Sequence, residues 1–270
     1  MSKAFVDTTV LADRLLKPGT KREAAKTALG RYEETILPVY AIKEFRAGAF
    51  RGYLWAHNKL IEKGNISDFA AAASALQQRN LSSTAFEALS AGLNLIPDAK
   101  LSDWRDEYGD DASPERIQFD SLRLQLRSLI YRAWQQRRKV TDRIVDELPC
   151  FQEIGPKEKR GRIEFENKIK SCGAEPDCAV AKIMAQDNDA LKALLEANDQ
   201  LPDSAEKQRR RPGLRHLIRH PQRPLPEKHC RGLGDAVFAF SAPEDSVILT
   251  TNVKDHSVLA GALGKEVETP

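Results

Sequence analysis

Gly234-Asp235-Ala236-Val237-Phe238-Ala239-Phe240, followed shortly by Ser246-Val247-Ile248-Leu249-Thr250-Thr251-Asn252-Val253-Lys254-Asp255-His256, is the stretch on which the fold reading turns. The first run reads as a helix that opens at Asp235 behind the glycines at 232 and 234. Val247 to Leu249 is a short apolar run, rich in β-branched residues and bounded by polar ones, as in a strand buried on both faces of a parallel sheet. A loop and a further helix follow. Open parallel sheets present functional groups beyond the carboxyl ends of their strands. Thr250, Asn252 and Asp255 fall just past such an end. Asp235 and Asp255 can therefore converge with acids supplied from elsewhere in the chain.

The N-terminus supplies two. Lys3-Ala4-Phe5-Val6-Asp7-Thr8-Thr9-Val10 reads as a strand closed by Asp7, with a helix through Ala12 to Leu16. Lys17-Pro18-Gly19 is a turn. Ala24, Ala25, Ala28, Leu29 and Tyr32 then recur at helical spacing. Ile36-Leu37-Pro38-Val39-Tyr40 reads as a second strand, and the helix after it carries Glu44 in its early turns. Strands alternating with helices predict a parallel sheet.

Four features together resemble the PIN domain family: Asp7 in a hydrophobic-Asp-Thr-x-Val setting, Glu44 in an apolar helix before Phe45, the Gly234-Asp235-Ala236 helix start, and the Thr250-x-Asn252-x-x-Asp255 loop after a strand. They cover roughly residues 1–50 and 230–270. The resemblance implies an α/β, three-layer PIN-like fold with a short parallel sheet. It implies a metal-dependent endoribonuclease that hydrolyses single-stranded RNA with Mg2+ or Mn2+, of the kind found as toxins, defence effectors or RNA-processing enzymes. Asp7, Glu44, Asp235 and Asp255 would be the catalytic and metal-holding acids, and Thr8, Thr9, Thr250 and Asn252 their supports. Its partners would be RNA, an antitoxin or other regulatory protein, and a second copy of the chain. The chain departs from the commonest pattern at the last motif, where Asn252 stands in place of an acid and Asp255 follows three residues later. His256 replaces the usual aromatic.

The chemistry fits those residue types. Hard divalent cations take carboxylate oxygens and water, and clustered carboxylates repel one another unless a cation neutralises them. A bound cation can generate hydroxide and stabilise a leaving oxygen in phosphodiester hydrolysis. Two other readings use the same residues: a non-catalytic RNA-binding or scaffold protein that kept the fold, and a nuclease directed at DNA.

The chain has 270 residues, 41% hydrophobic and 30% charged, with a net charge of +3. That is enough for a sizeable core under a well-solvated surface. No run of eighteen apolar residues suggests a membrane span. The N-terminus lacks the basic-then-apolar pattern of a signal peptide, so a cytoplasmic location is the expectation. In that compartment Cys150, Cys172, Cys178 and Cys230 are expected as reduced thiols. Cys172 and Cys178 are spaced too widely for the usual zinc pairing.

Residues 51–200 carry long helical patterns and no strand signal, which predicts an all-helical insertion in a discontinuous core formed by 1–50 and 229–270. Ser113-Pro114-Glu115 opens one helix, expected to run to about Leu148. Asp177 is expected to cap another, running to Asn198, and Trp55, Trp104 and Trp134 to pack inside the insertion. Residues 201–228 read as a basic, Pro-rich connector. From 207 to 231 there are nine Lys or Arg against one acid, Glu227. Arg209, Arg210, Arg211, Arg215, Arg219 and Arg223 are the expected phosphate-binding surface, since the guanidinium fork suits phosphate oxygens.

Overall fold

The computed structural model describes residues 2–76, 79–93, 113–165, 178–221 and 223–270, with backbone alone at 79–83. Cys172, Asp177 and Trp104 lie outside the described residues. The chain begins with β1 (Lys3–Val6), α1 (Thr8–Leu16), α2 (Gly19–Leu29), β2 (Glu34–Pro38) and α3 (Val39–Ala47). It continues through α4 (Ala49–Lys63), α5 (Ile66–Ser74), α6 (Arg79–Leu93) and α7 (Pro114–Gln136), then β3 (Arg143–Val145), β4 (Pro156–Lys159) and β5 (Arg162–Phe165). Next come α8 (Ala179–Met184), α9 (Asn188–Gln200), α10 (Ala205–Arg219) and α11 (Glu227–Leu233). The chain closes with α12 (Asp235–Ser241), β6 (Ser246–Leu249), α13 (Val253–Gly261) and β7 (Val267–Glu268). None of the described helices is long and apolar enough to cross a membrane.

Five strands form one sheet in the order β3-β2-β1-β6-β7, with every neighbouring pair parallel. The expected α/β class with a parallel sheet is therefore what the chain adopts. Phe5 pairs with Ile36 of β2 on one side and Ile248 of β6 on the other. The chain leaves β1 for β2, while β6 joins the opposite flank, so the strand order reverses at β1. Asp7 follows β1 at that switch point, the place where such sheets bind ligands. Phe238 of α12 ties the layers together, with T-shaped contacts to Phe5, Tyr40 and His256.

The all-helical insertion expected over 51–200 is corrected. β3 belongs to the main sheet, and β4 and β5 form an antiparallel hairpin. Ser113 does cap α7, accepting from Arg116 N, but the helix stops at Gln136 rather than near Leu148. Asp142 supplies the reason. Its carboxylate accepts from Thr35 N at 2.8 Å and Thr35 Oγ1 at 2.7 Å, and its own N–H donates to Thr35 O. These bonds pin the chain to the start of β2, and β-branched Ile144 and Val145 then extend along that strand. The insertion also shares the core: Phe50 packs on Phe45, Trp134 and Phe165, and Arg46 lies 3.9 Å over the Phe165 ring. The helix expected to end at Asn198 is broken, and α9 restarts where Asp187 accepts from Asp189 N and Ala190 N.

The basic connector expected at 201–228 is likewise corrected, because most of it is helix. Ser204 caps α10 by accepting from Lys207 N, and Pro212 lies inside the helix. A proline there costs about 3 kcal/mol. Burying Leu214 and Leu217 completely contributes roughly 1.5–3 kcal/mol each, which offsets it. Glycines let α10 and α11 approach closely. A Cβ on Gly232 would lie 2.3 Å from Arg209 O, a backbone atom that cannot swing aside. Gly232→Ala should therefore force the helices apart and cost about 1–3 kcal/mol. A drop in denaturation midpoint with an unchanged slope would show it; an unshifted midpoint would contradict the close packing.

Candidate metal centre

Three expected acids meet beyond the carboxyl ends of β1, β2 and β6. Asp7, Glu44 and Asp235 line one cleft of about 550 Å³ with Tyr40, Lys43 and Arg209. Asp7 is the N-cap of α1 and is nearly buried. Its Oδ1 accepts from Thr8 N at 2.6 Å, and its Oδ2 from Thr9 Oγ1 at 2.6 Å and Thr250 Oγ1 at 2.7 Å. Thr8 Oγ1 donates to Glu44 Oε2 at 3.0 Å. Thr8, Thr9 and Thr250 thus hydrogen-bond the acids directly. Gly234, with φ +45°, turns the chain between α11 and α12, and a Cβ there would point at Glu44 Oε1 from 3.9 Å.

Asp255 is placed differently. It does not line the cleft. Its Oδ2 accepts from Arg210 Nη2 at 3.2 Å, and the same nitrogen lies 3.3 Å from Asp235 Oδ2. Arg210 is 2% exposed and also donates from Nη1 to Asn198 Oδ1 at 3.0 Å. Asn252 Nδ2 donates to Asp235 Oδ2 at 3.1 Å. Asn252 therefore orients Asp235, and Asp255 meets a guanidinium behind it. His256, fully buried, completes the arrangement: its Nε2 stands 3.2 Å from Asp235 Oδ1 and 3.7 Å from Asp7 Oδ2. One ring nitrogen spans acids from the two ends of the chain.

The electrostatics divide the site. Burial pushes the Glu44 carboxyl up to about 8, and the neighbouring Asp7 and Asp235 charges add to the rise against the Thr8 hydrogen bond. Burial would also raise Asp235, but His256 and Arg210 outweigh it and hold that carboxyl below its ordinary value. Burial alone would lower His256; Asp235, Asp7 and Glu44 prevail and raise it. Negative charge is thus compensated on the Asp235–Asp255 side, whereas in the absence of a cation Glu44 is driven toward its neutral form.

Among the described residues, no three His, Cys, Asp or Glu side chains form a ready-made cation cage. At Asp235 and Asp255 the reason is visible, since Arg210 and Asn252 already engage their oxygens. On the other side Glu44 meets the Thr8 hydroxyl and the neighbouring acid charges that raise it. Carboxylate oxygens, such as those on Asp7 and Glu44, are what a hard cation takes. Both oxygens of Asp235 are already engaged, Oδ1 by His256 and Oδ2 by Arg210 and Asn252, so a cation shared with Asp235 would have to displace one of these partners.

The six arginines expected to form one phosphate-binding surface do not. α10 turns five of them to different sides, and Arg223 lies beyond its end. Arg209 reaches the acidic cleft. Arg210 is buried and binds carboxylates, because it shares a face with Gly213, Leu214 and Leu217, so it is corrected from a phosphate contact to an internal counter-ion. Arg211, Arg215 and Arg219 line a separate cleft, and Arg223 another beside Cys178. The sequence reading missed His256 and Asn198 as members of the acidic site. No family model, no curated protein and no solved structure matches this chain.

Proposed function

We propose that the chain is a metal-dependent nuclease of PIN-like design that hydrolyses phosphodiester bonds of single-stranded RNA, using one Mg2+ or Mn2+. The observation that carries this reading is the meeting of Asp7, Glu44 and Asp235 in one cleft at the switch point of a parallel sheet, close enough that burial and the other two acids together raise the Glu44 carboxyl. A cation bound there would supply a hydroxide nucleophile and stabilise the leaving oxygen. The chain's own residues do the rest. Thr9 and Thr250 fix Asp7, Thr8 fixes Glu44, and His256 braces Asp7 against Asp235. Arg209, exposed at the rim, is the group positioned to orient the scissile phosphate.

A labelled single-stranded RNA should be cut in Mg2+ or Mn2+, and the cutting should stop with chelator and return when metal is restored. Equal cleavage of the matching DNA strand would move the substrate to DNA, because only RNA offers a 2′-hydroxyl for discrimination. The Arg210 contacts with Asp235 and Asp255 favour a second reading, a scaffold whose acids are neutralised internally. RNA binding without metal-dependent cleavage would select it.

A further inference from the structure

Beside α10 a second cleft of about 500 Å³ is lined by Arg211, Arg215, Arg219, His216, His220 and His229. Three of the chain's five histidines therefore gather in one place. The His216 ring lies 5.4 Å from His220 and 5.8 Å from His229, centroid to centroid. His216 Nε2 and His229 Nδ1 are buried with no hydrogen-bond partner in the protein. Arg211 is paired with Asp199, but Arg215 and Arg219 are exposed and meet no acid among the described residues. Like charges packed at this density repel, and buried donors left unpaired cost free energy. An anion rich in acceptor oxygens would relieve both at once.

We infer that this cleft is a phosphate-binding site, distinct from the acidic one, and that its ligand is a phosphate of the nucleic-acid strand bound at the acidic cleft. This extension to the strand rests on the nuclease reading. α10 provides the connection: Arg209 lines the acidic cleft and His216 the second. They are seven residues apart on one flank of the helix, two turns and roughly 10 Å along its axis. A strand following that flank presents one phosphate to Arg209 and a later one to Arg215, Arg219 and the histidines. A divalent metal is a poorer ligand here, since the neighbouring guanidinium groups would repel it.

The chain has five imidazoles, so histidine side-chain NMR reads the site directly. In chelator, to prevent cleavage, the protein is titrated separately with inorganic phosphate and with a short single-stranded RNA. Both should shift the His216, His220 and His229 signals saturably and leave His57 in place. The exposed double variant Arg215→Ala/Arg219→Ala should weaken RNA binding roughly tenfold. It should also flatten the dependence of log affinity on log salt by about 0.7 for each phosphate no longer neutralised, while a dinucleotide is cut at the wild-type rate. Silent histidine signals with both probes, or unchanged RNA affinity in the double variant, overturn the inference. A response to phosphate but not to RNA overturns the strand ligand and leaves a site for free phosphate. Shifts with both probes in a protein that never cleaves would refute the nuclease reading alone.

Discussion

Asp7→Asn should lower strand cleavage by at least about 10²-fold, the loss typical of one electrostatic contact to a transition state, and should do so without weakening the fold. The asymmetry follows from what Asp7 does in each role. As the cap of α1 it offers Oδ1 to Thr8 N, and an asparagine carbonyl serves that end equally well. Its Oδ2 accepts from two threonine hydroxyls, which can rotate to accept from an amide N–H instead. The variant loses the charge and one long bond, from Thr9 N to Oδ2 at 3.3 Å. In the metal-free protein that charge is a burden, because it faces Glu44 across a buried site and helps hold its carboxyl near 8. The unfolded chain releases the Glu44 proton at its ordinary value of 4.5, whereas the folded chain keeps it to about 8. Metal-free wild type therefore loses stability as pH rises through that window. Asp7→Asn should narrow the loss, and its melting temperature near pH 7 should equal or exceed that of wild type. With Mn2+ added, wild type should gain stability by linkage and the variant should gain little. A variant that cuts RNA at the normal rate would remove Asp7 from the chemistry. One that melts far below wild type would make it a structural cap.

How far the site is legible in the sequence depends on local context. Asp7, Glu44 and Asp235 are readable because each sits where a strand ends or a helix begins, and those settings survive into the fold. Asp255 has the same kind of sequence setting, yet it faces a partner that no local pattern announces. Arg210 stands between Arg209 and Arg211 with nothing in composition to separate the three. What separates them is helical phase: Arg210, Leu214 and Leu217 fall at i, i+4 and i+7, the spacing of a buried stripe. Reading Pro212 as a helix breaker hides that stripe, because the energetic cost of the proline is local while the burial that offsets it is tertiary. β3 is illegible for another reason. Arg143-Ile144-Val145 is too short to signal a strand, and it becomes one only because Asp142 is bound to Thr35, 107 positions earlier.

Arg210→Met is the strongest test of how the acids are balanced. The guanidinium reaches Asp235 Oδ2 and Asp255 Oδ2 from a site closed to solvent, anchored by Asn198. Removing one partner of a buried charge network typically costs 3–5 kcal/mol, because the remaining charge has nothing to offset it. Here the carboxylates keep some access to water, with side chains 20% and 18% exposed, so the lower end is expected, about 3 kcal/mol. For a chain of this length that is a fall in melting temperature of roughly 6–12 °C. Two further measurements separate a counter-ion from a packing defect. Neutralising the stranded acid, in Arg210→Met/Asp255→Asn, should restore much of the loss, a coupling between contacting residues that additivity forbids. If Arg210 stands where a second cation would otherwise sit, the single variant should also bind more than one Mn2+ by titration while wild type binds one, and saturating Mn2+ should recover its melting temperature. Two Mn2+ bound to wild type would show that Arg210 leaves room for both. An additive double variant would mean that the lost stability came from filling space rather than from cancelling charge.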